Sequence, residues 1–176
     1  MKRREFLKIG AAAGAYLFAG GDSLLASPQS GLYTPLAPPR RMRADLYRPP
    51  VVSPEGLVLT ARQTMAEIAP DVRSLILTYG NGPVGPTIEA RRGQRATITL
   101  RNELAEPTIV HWHGLRVPEA ADGHPRLAIG AGGTYEYDFV VDEPPGLYWY
   151  HSHAHGRTGP QVYHGLAGLF IVRDEA

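Results

Sequence analysis

Cysteine is absent from all 176 residues, which excludes disulfides, thiolate metal sites, thiol nucleophiles and thiol redox chemistry in this chain. Excess charge of either sign is missing too. The formal net charge is +1, and it gathers at the front, where Lys2, Arg3, Arg4 and Lys8 face only Glu5 and Asp22 within the first 26 residues. The remainder holds 14 basic against 15 acidic side chains. Such a balance argues against nucleic acid or an anionic membrane surface as the main partner, since both call for a clustered positive footprint. A stable membrane span is lacking as well: the apolar run Ile9 to Gly21 has 13 residues, too few to cross a bilayer comfortably. After that run, apolar residues nowhere recur at helical spacing over three turns. The length itself favours one domain with a real core and leaves no room for a second catalytic domain.

What is present at the front reads as a removable export signal over residues 1–26. Paired arginines followed by Phe6-Leu7-Lys8 resemble a twin-arginine signal, with Lys2 where the pattern prefers Ser or Thr, and Leu24-Leu25-Ala26 makes an imperfect small-x-small cleavage site. An uncleaved anchor or a buried amphipathic helix is the alternative. The expected location is the periplasm or otherwise outside the cytoplasm.

Residues 27–56 carry Pro28, Pro35, Pro38, Pro39, Pro49, Pro50 and Pro54 and read as an extended arm, because each proline removes a donor and forbids helix. From Leu57 the texture changes to short strands. Leu57 to Met65 alternates loosely, and residues 73–79 form a run that suits burial on both sides, ending at the turn Gly80-Asn81-Gly82-Pro83. Ala96, Ile98 and Leu100 oppose Arg95, Thr97, Thr99 and Arg101, and Tyr135, Tyr137, Phe139 and Val141 oppose Glu136, Asp138 and Val140. Gly165 to Val172 supplies a last apolar strand. Strands of this length between Gly and Pro turns predict an all-β sandwich with Greek-key connections over 57–176.

Two stretches carry the chemistry: Val110-His111-Trp112-His113-Gly114 and Leu147-Tyr148-Trp149-Tyr150-His151-Ser152-His153. On a strand, alternate side chains leave on one face, so each His-x-His sets two imidazoles side by side and sends Trp112 or Ser152 the other way. If the strands are neighbours, four imidazoles converge. Imidazole suits copper, zinc, iron or nickel, and four of them without a carboxylate do not resemble a calcium or magnesium site. The competing interpretation is two exposed or core-satisfied histidine pairs. Isolated His124 and His164 are expected to be solvated or weakly packed, and Trp112, Trp149, Tyr148 and Tyr150 to pack in the core or against the histidines in preference to relaying electrons. Arg91-Arg92 reads as a solvated turn.

Together with Leu115, Asp122-Gly123, Ala154-His155-Gly156, Gln161-Val162 and Gly165-Leu166-Ala167-Gly168-Leu169, these motifs resemble the N-terminal cupredoxin domain of a multicopper oxidase of the cuprous oxidase, bilirubin oxidase and laccase group. The resemblance covers about Leu57 to Val172. It implies a cupredoxin-like Greek-key fold and copper as cofactor, in a trinuclear cluster shared between the first and last cupredoxin domains. By motif, His111 would bind the type 2 copper, and His113, His151 and His153 the type 3 pair. Asp122 falls where the family places a carboxylate that assists proton delivery, although Asp-Gly is also a turn signal on its own. His155 is a non-ligand in relatives and is expected to order its loop.

The departure from the family is the missing type 1 copper, whose ligands include a cysteine, together with the other half of the cluster ligands. Partners are therefore expected: C-terminal cupredoxin domains or a separate chain, dioxygen, and a small one-electron donor or cuprous ion. A free-standing periplasmic copper-sequestration module is the alternative function. A copper-free structural relative and a mononuclear zinc hydrolase are further ones, the last disfavoured because no His-Glu-x-x-His accompanies the cluster.

Overall fold

In the computed structural model, which describes residues 47–174, the alternating run around Ile98 forms a strand, β5 (Arg95–Asn102), with Ala96, Ile98, Leu100 and Asn102 buried. Its neighbour β7 (Thr134–Val140) runs antiparallel to it, with Ile98 opposite Tyr137 and Ala96 opposite Phe139. A long strand, β2 (Glu55–Ala69), pairs in parallel with β5 through its first half and then folds back on β3 (Val72–Thr78). This four-stranded sheet has the order β3-β2-β5-β7.

The second sheet is built from β1 (Val51–Val52), β4 (Thr87–Arg91), β6 (Val110–His113), β8 (Gly146–Ser152) and β9 (Ala167–Arg173), in the order β1-β4-β9-β8-β6. From β5 to β8 successive strands alternate between the sheets, the Greek-key crossing the turns imply. Between them lie Leu59, Ile98, Leu100, Tyr137 and Phe139 from one sheet and Ile88, Trp112, Tyr150, Phe170 and Val172 from the other, all at most 3% exposed. Each such side chain contributes roughly 1.5–3 kcal/mol by leaving water, which is why alternation at these positions decides the fold. The all-β cupredoxin-like sandwich is what forms.

Two local expectations change, and one short element is added. Strand content starts at Val51 instead of Leu57, because a proline lacks a donor but keeps its carbonyl: Pro50 accepts from Thr87 N–H at 2.9 Å and Pro54 from Thr97 N–H at 3.0 Å, drawing the end of the arm onto both sheets. The run 73–79 is buried on both sides only in its second half, where Ile76, Thr78 and Tyr79 are enclosed. Leu75 and Val72 remain exposed, since past Ala61 the β2–β3 ribbon has no β5 partner. A six-residue helix, α1 (Thr158–Tyr163), sits between β8 and β9, too short to leave a periodic signal. The export signal and residues 27–46 of the arm lie outside the described residues. Among the described residues no helix is long and apolar enough to cross a membrane.

Candidate metal centre

β6 and β8 are antiparallel neighbours with His111 opposite His151, Trp112 opposite Tyr150 and His113 opposite Trp149. The pleat then sorts the faces. Trp112 and Tyr150 enter the core, while His111, His113, Trp149 and His151 stand on the outer face of the sheet. His153 lies one residue beyond β8, and its N–H donates to the Ile109 carbonyl at 2.9 Å, which carries the pairing past the strand end and keeps its ring beside β6.

The candidate nitrogens of His111, His113 and His151 all lie within 4.8 Å of one another. His153 completes the set: its ring centroid is 5.0 Å from that of His111, nearer than any two of the other three rings, and 6.0 Å from that of His151. The four imidazoles expected to converge do so, with the His111 ring within 5.7 Å of each of the other three. His155 is exposed and outside the cluster. His124 and His164 are exposed too, and His124 caps the 3-10 turn Pro125–Leu127 by accepting from Arg126 N–H at 3.2 Å.

Hydrogen bonds decide which nitrogen each ring presents. A carbonyl oxygen only accepts, so a ring nitrogen beside one carries the proton and leaves the other nitrogen with its lone pair free. His111 Nδ1 donates to the Asp122 carbonyl at 2.8 Å, His151 Nδ1 to the Ser152 carbonyl at 2.8 Å, and His153 Nδ1 to the Gly123 carbonyl at 3.1 Å. Three rings thus offer Nε2. His113 differs: its Nδ1 is 3.3 Å from His151 Nε2, close to the separation of about 3.3–3.4 Å that two nitrogens have on one tetrahedral ion at 2.0–2.1 Å. Burial lowers the His151 pKa below the ordinary imidazole value, against its bond to the Ser152 carbonyl, and positive charge on the neighbouring imidazoles would lower it further. The neutral, ligating form is favoured.

Trp149 forms one wall of the cluster, its ring 4.8 Å from His113 and 4.3 Å from His151. The packing role expected for it takes the form of contact with the imidazoles. Asp122 ends the 3-10 turn Glu119–Ala121, so the turn interpretation of Asp-Gly describes its backbone correctly. Its carboxylate oxygen Oδ1 is 3.3 Å from His111 Nδ1, and the side chain is 44% exposed on this face. The donor set is imidazole only, with three rings offering Nε2 and no thiolate, and that fits copper or zinc.

Sequence reasoning missed Gln161, which it quoted as part of a motif without a role. From α1 its fully buried carboxamide uses every bonding position: Oε1 accepts from the Thr108 hydroxyl at 3.0 Å and from the Ser152 hydroxyl, while Nε2 donates to Glu106 at 2.9 Å and the Pro107 carbonyl at 3.0 Å. Ser152 lies between His151 and His153, so this network anchors the strand end that carries both. Gln161→Leu is expected to destabilise the chain by about 1–3 kcal/mol, because the Thr108 hydroxyl keeps the Ser152 hydroxyl as an acceptor at 3.4 Å while the Ser152 proton is left buried and unpaired, read as a lower urea midpoint. An unchanged midpoint would mean the network is replaceable. No periodic pattern could have exposed it, since its partners are 9 to 55 residues away.

The multicopper oxidase family model matches residues 60–176. Among curated proteins, the chain is 36% identical over 120 residues to multicopper oxidase mco of Staphylococcus haemolyticus, covering 68% of this chain and 27% of that protein. It is 35% identical over 174 residues to multicopper oxidase MmcO of Mycobacterium tuberculosis, covering 98% of this chain and 32% of that one. The crystal structure of McoA multicopper oxidase from the hyperthermophile Aquifex aeolicus matches with a TM-score of 0.70 at 40% identity, over 74% of this chain and 30% of that chain. The chain thus spans about a third or less of each relative. With the sandwich, the register of the two histidine strands and the motif all agreeing, this chain belongs to the multicopper oxidase family and covers one cupredoxin-like domain of it.

Proposed function

We propose that the chain is the N-terminal, cluster-binding domain of an exported multicopper oxidase, in which His111, His113, His151 and His153 supply half of a trinuclear copper site. The observation that carries this is the arrangement of imidazoles on the outer face of the sheet, three of them aimed by backbone carbonyls to offer Nε2. A single ion would gather four donors into one shell. His113 and His151 approach to 3.3 Å, which supports placing these two on the same type 3 ion, while the family motif assigns His153 to the type 3 pair and His111 to the type 2 ion. The chemistry such a cluster supplies when bound is the four-electron reduction of dioxygen to water, coupled to oxidation of a one-electron donor or cuprous ion.

The residues of this chain hold, orient and wall off. Trp149 shields the His113 and His151 rings from water on one side. Asp122 is assigned to proton delivery, supported by its carboxylate lying against the His111 ring while remaining open to solvent. The missing ligands and the electron entry site, which needs a cysteine this chain lacks, come from further cupredoxin domains or a separate chain. Export rests on the leader pattern of residues 1–26.

Metal analysis and an oxidase assay on the purified chain test this reading. Copper should exceed zinc in the bound metal, and turnover with dioxygen and a phenolic donor should be negligible until the complementary domains are supplied. Zinc in place of copper, or turnover by the chain alone, would overturn it.

A further inference from the structure

We propose that Gly123 is a positioning residue of the metal site. Having no side chain, it lets the Asp122–Gly123 turn lie flat against β6, so that two consecutive carbonyls hold His111 and His153 in the form that presents Nε2. This deepens the copper-site reading above and rests on it for the identity of the metal.

Gly123 has φ +71°, and a Cβ built on it would overlap the Val110 carbonyl oxygen and stand 2.5 Å from the Val110 carbonyl carbon and 2.8 Å from the His111 nitrogen. All three atoms are backbone. No rotamer change relieves the collision, so the turn itself would have to withdraw from β6. Withdrawal moves both acceptors together: the Asp122 carbonyl, 2.8 Å from His111 Nδ1, and the Gly123 carbonyl, 3.1 Å from His153 Nδ1. The two rings these carbonyls hold lie 5.0 Å apart and only 30° from parallel, as adjacent acceptors on one turn would set them. For His111 the main chain is also nearer than the Asp122 carboxylate, which is 3.3 Å away and 44% exposed. Within the Asp-Gly pair, then, orientation of the imidazoles belongs to the backbone. The carboxylate is left for other work.

His151 serves as an internal reference, because its Nδ1 donates to the Ser152 carbonyl, which is not part of this turn. Gly156 serves as a second one: its φ of +69° nearly equals that of Gly123, but nothing lies within 4 Å of the position a Cβ would take. Gly156→Ala imposes the same backbone strain without the collision.

The test reads imidazole tautomers in the metal-free chain by nitrogen-15 NMR, and copper affinity by titration with cupric ion. In Gly123→Ala the Nδ1–H form should be lost at His111 and His153 and kept at His151, with copper affinity down by about 10–100-fold, the usual cost of removing a partner that orients a ligand. Gly156→Ala should keep all three tautomers and bind copper as the parent does. Asp122→Ala should keep the Nδ1–H form at His111, and it tests the idea even if Gly123→Ala fails to fold. Retention of both tautomers in Gly123→Ala, equal loss at His151, the same pattern in Gly156→Ala, or loss at His111 in Asp122→Ala would each overturn the proposal. Because the tautomers are read without metal, failure of the parent chain to bind copper would sink the copper-site reading and leave this test standing.

Discussion

Changing His111 and His151 together to alanine is expected to lower copper affinity by at least about 100-fold, since loss of even an outer partner of a ligand typically costs 10–100-fold. The two residues face each other across the β6–β8 pair, so the double change removes one donor from each strand at the same level. What remains is His113 at the exposed end of β6 and His153 beyond the end of β8. The sandwich should survive, because its core is filled from the alternate positions, Trp112 and Tyr150, although loss of the His151 ring, only 7% exposed, will lower stability somewhat. Copper content by mass spectrometry, measured beside a urea unfolding curve, checks both halves of this expectation. Undiminished copper uptake would mean the metal binds elsewhere.

Trp112→Ala is expected to do the reverse, costing about 3–5 kcal/mol of stability out of a typical total of about 5–15 kcal/mol. Trp112 is 0% exposed, and its ring packs 5.1 Å from Tyr137, 5.5 Å from Phe139, 5.7 Å from Tyr150 and 6.2 Å from Phe170. These four come from β7, β8 and β9, so the cavity would open where the two sheets meet and no single neighbour could fill it. The indole Nε1 has no hydrogen-bond partner. Trp112→Phe therefore deletes an unpaired donor along with some volume, and should cost well under half as much as alanine. Urea midpoints with an unchanged slope measure the difference. Equal losses for Phe and Ala would show that the indole, and not aromatic volume, holds this position.

Most of the fold was legible because a strand with one buried face writes its environment into alternate letters, as in Arg95 to Arg101 and Tyr135 to Val141. The paired His-x-His elements were legible for the same reason: period two placed the imidazoles on one face before any partner strand was known. Pairing was harder. Val51–Val52 carries too few residues to show a period, and its place in the sheet depends on a proline carbonyl that a count of lost donors overlooks. Leu75 looked buried because it resembles Ile76 and Leu77, yet its exposure was decided by where β5 stops.

Sequence by itself determined the all-β class, the identity of four candidate ligands and the absence of any thiolate from this chain, because each of these depends on residue type and on the local geometry of one strand. Only the tertiary structure decided that the two histidine strands are neighbours, that backbone carbonyls choose the nitrogen three rings present, and that Gln161 ties the second histidine strand down. Those depend on which carbonyl or carboxamide comes within about 3 Å of a ring or hydroxyl. Contacts of that kind join residues far apart in the chain, and no local pattern of letters records them.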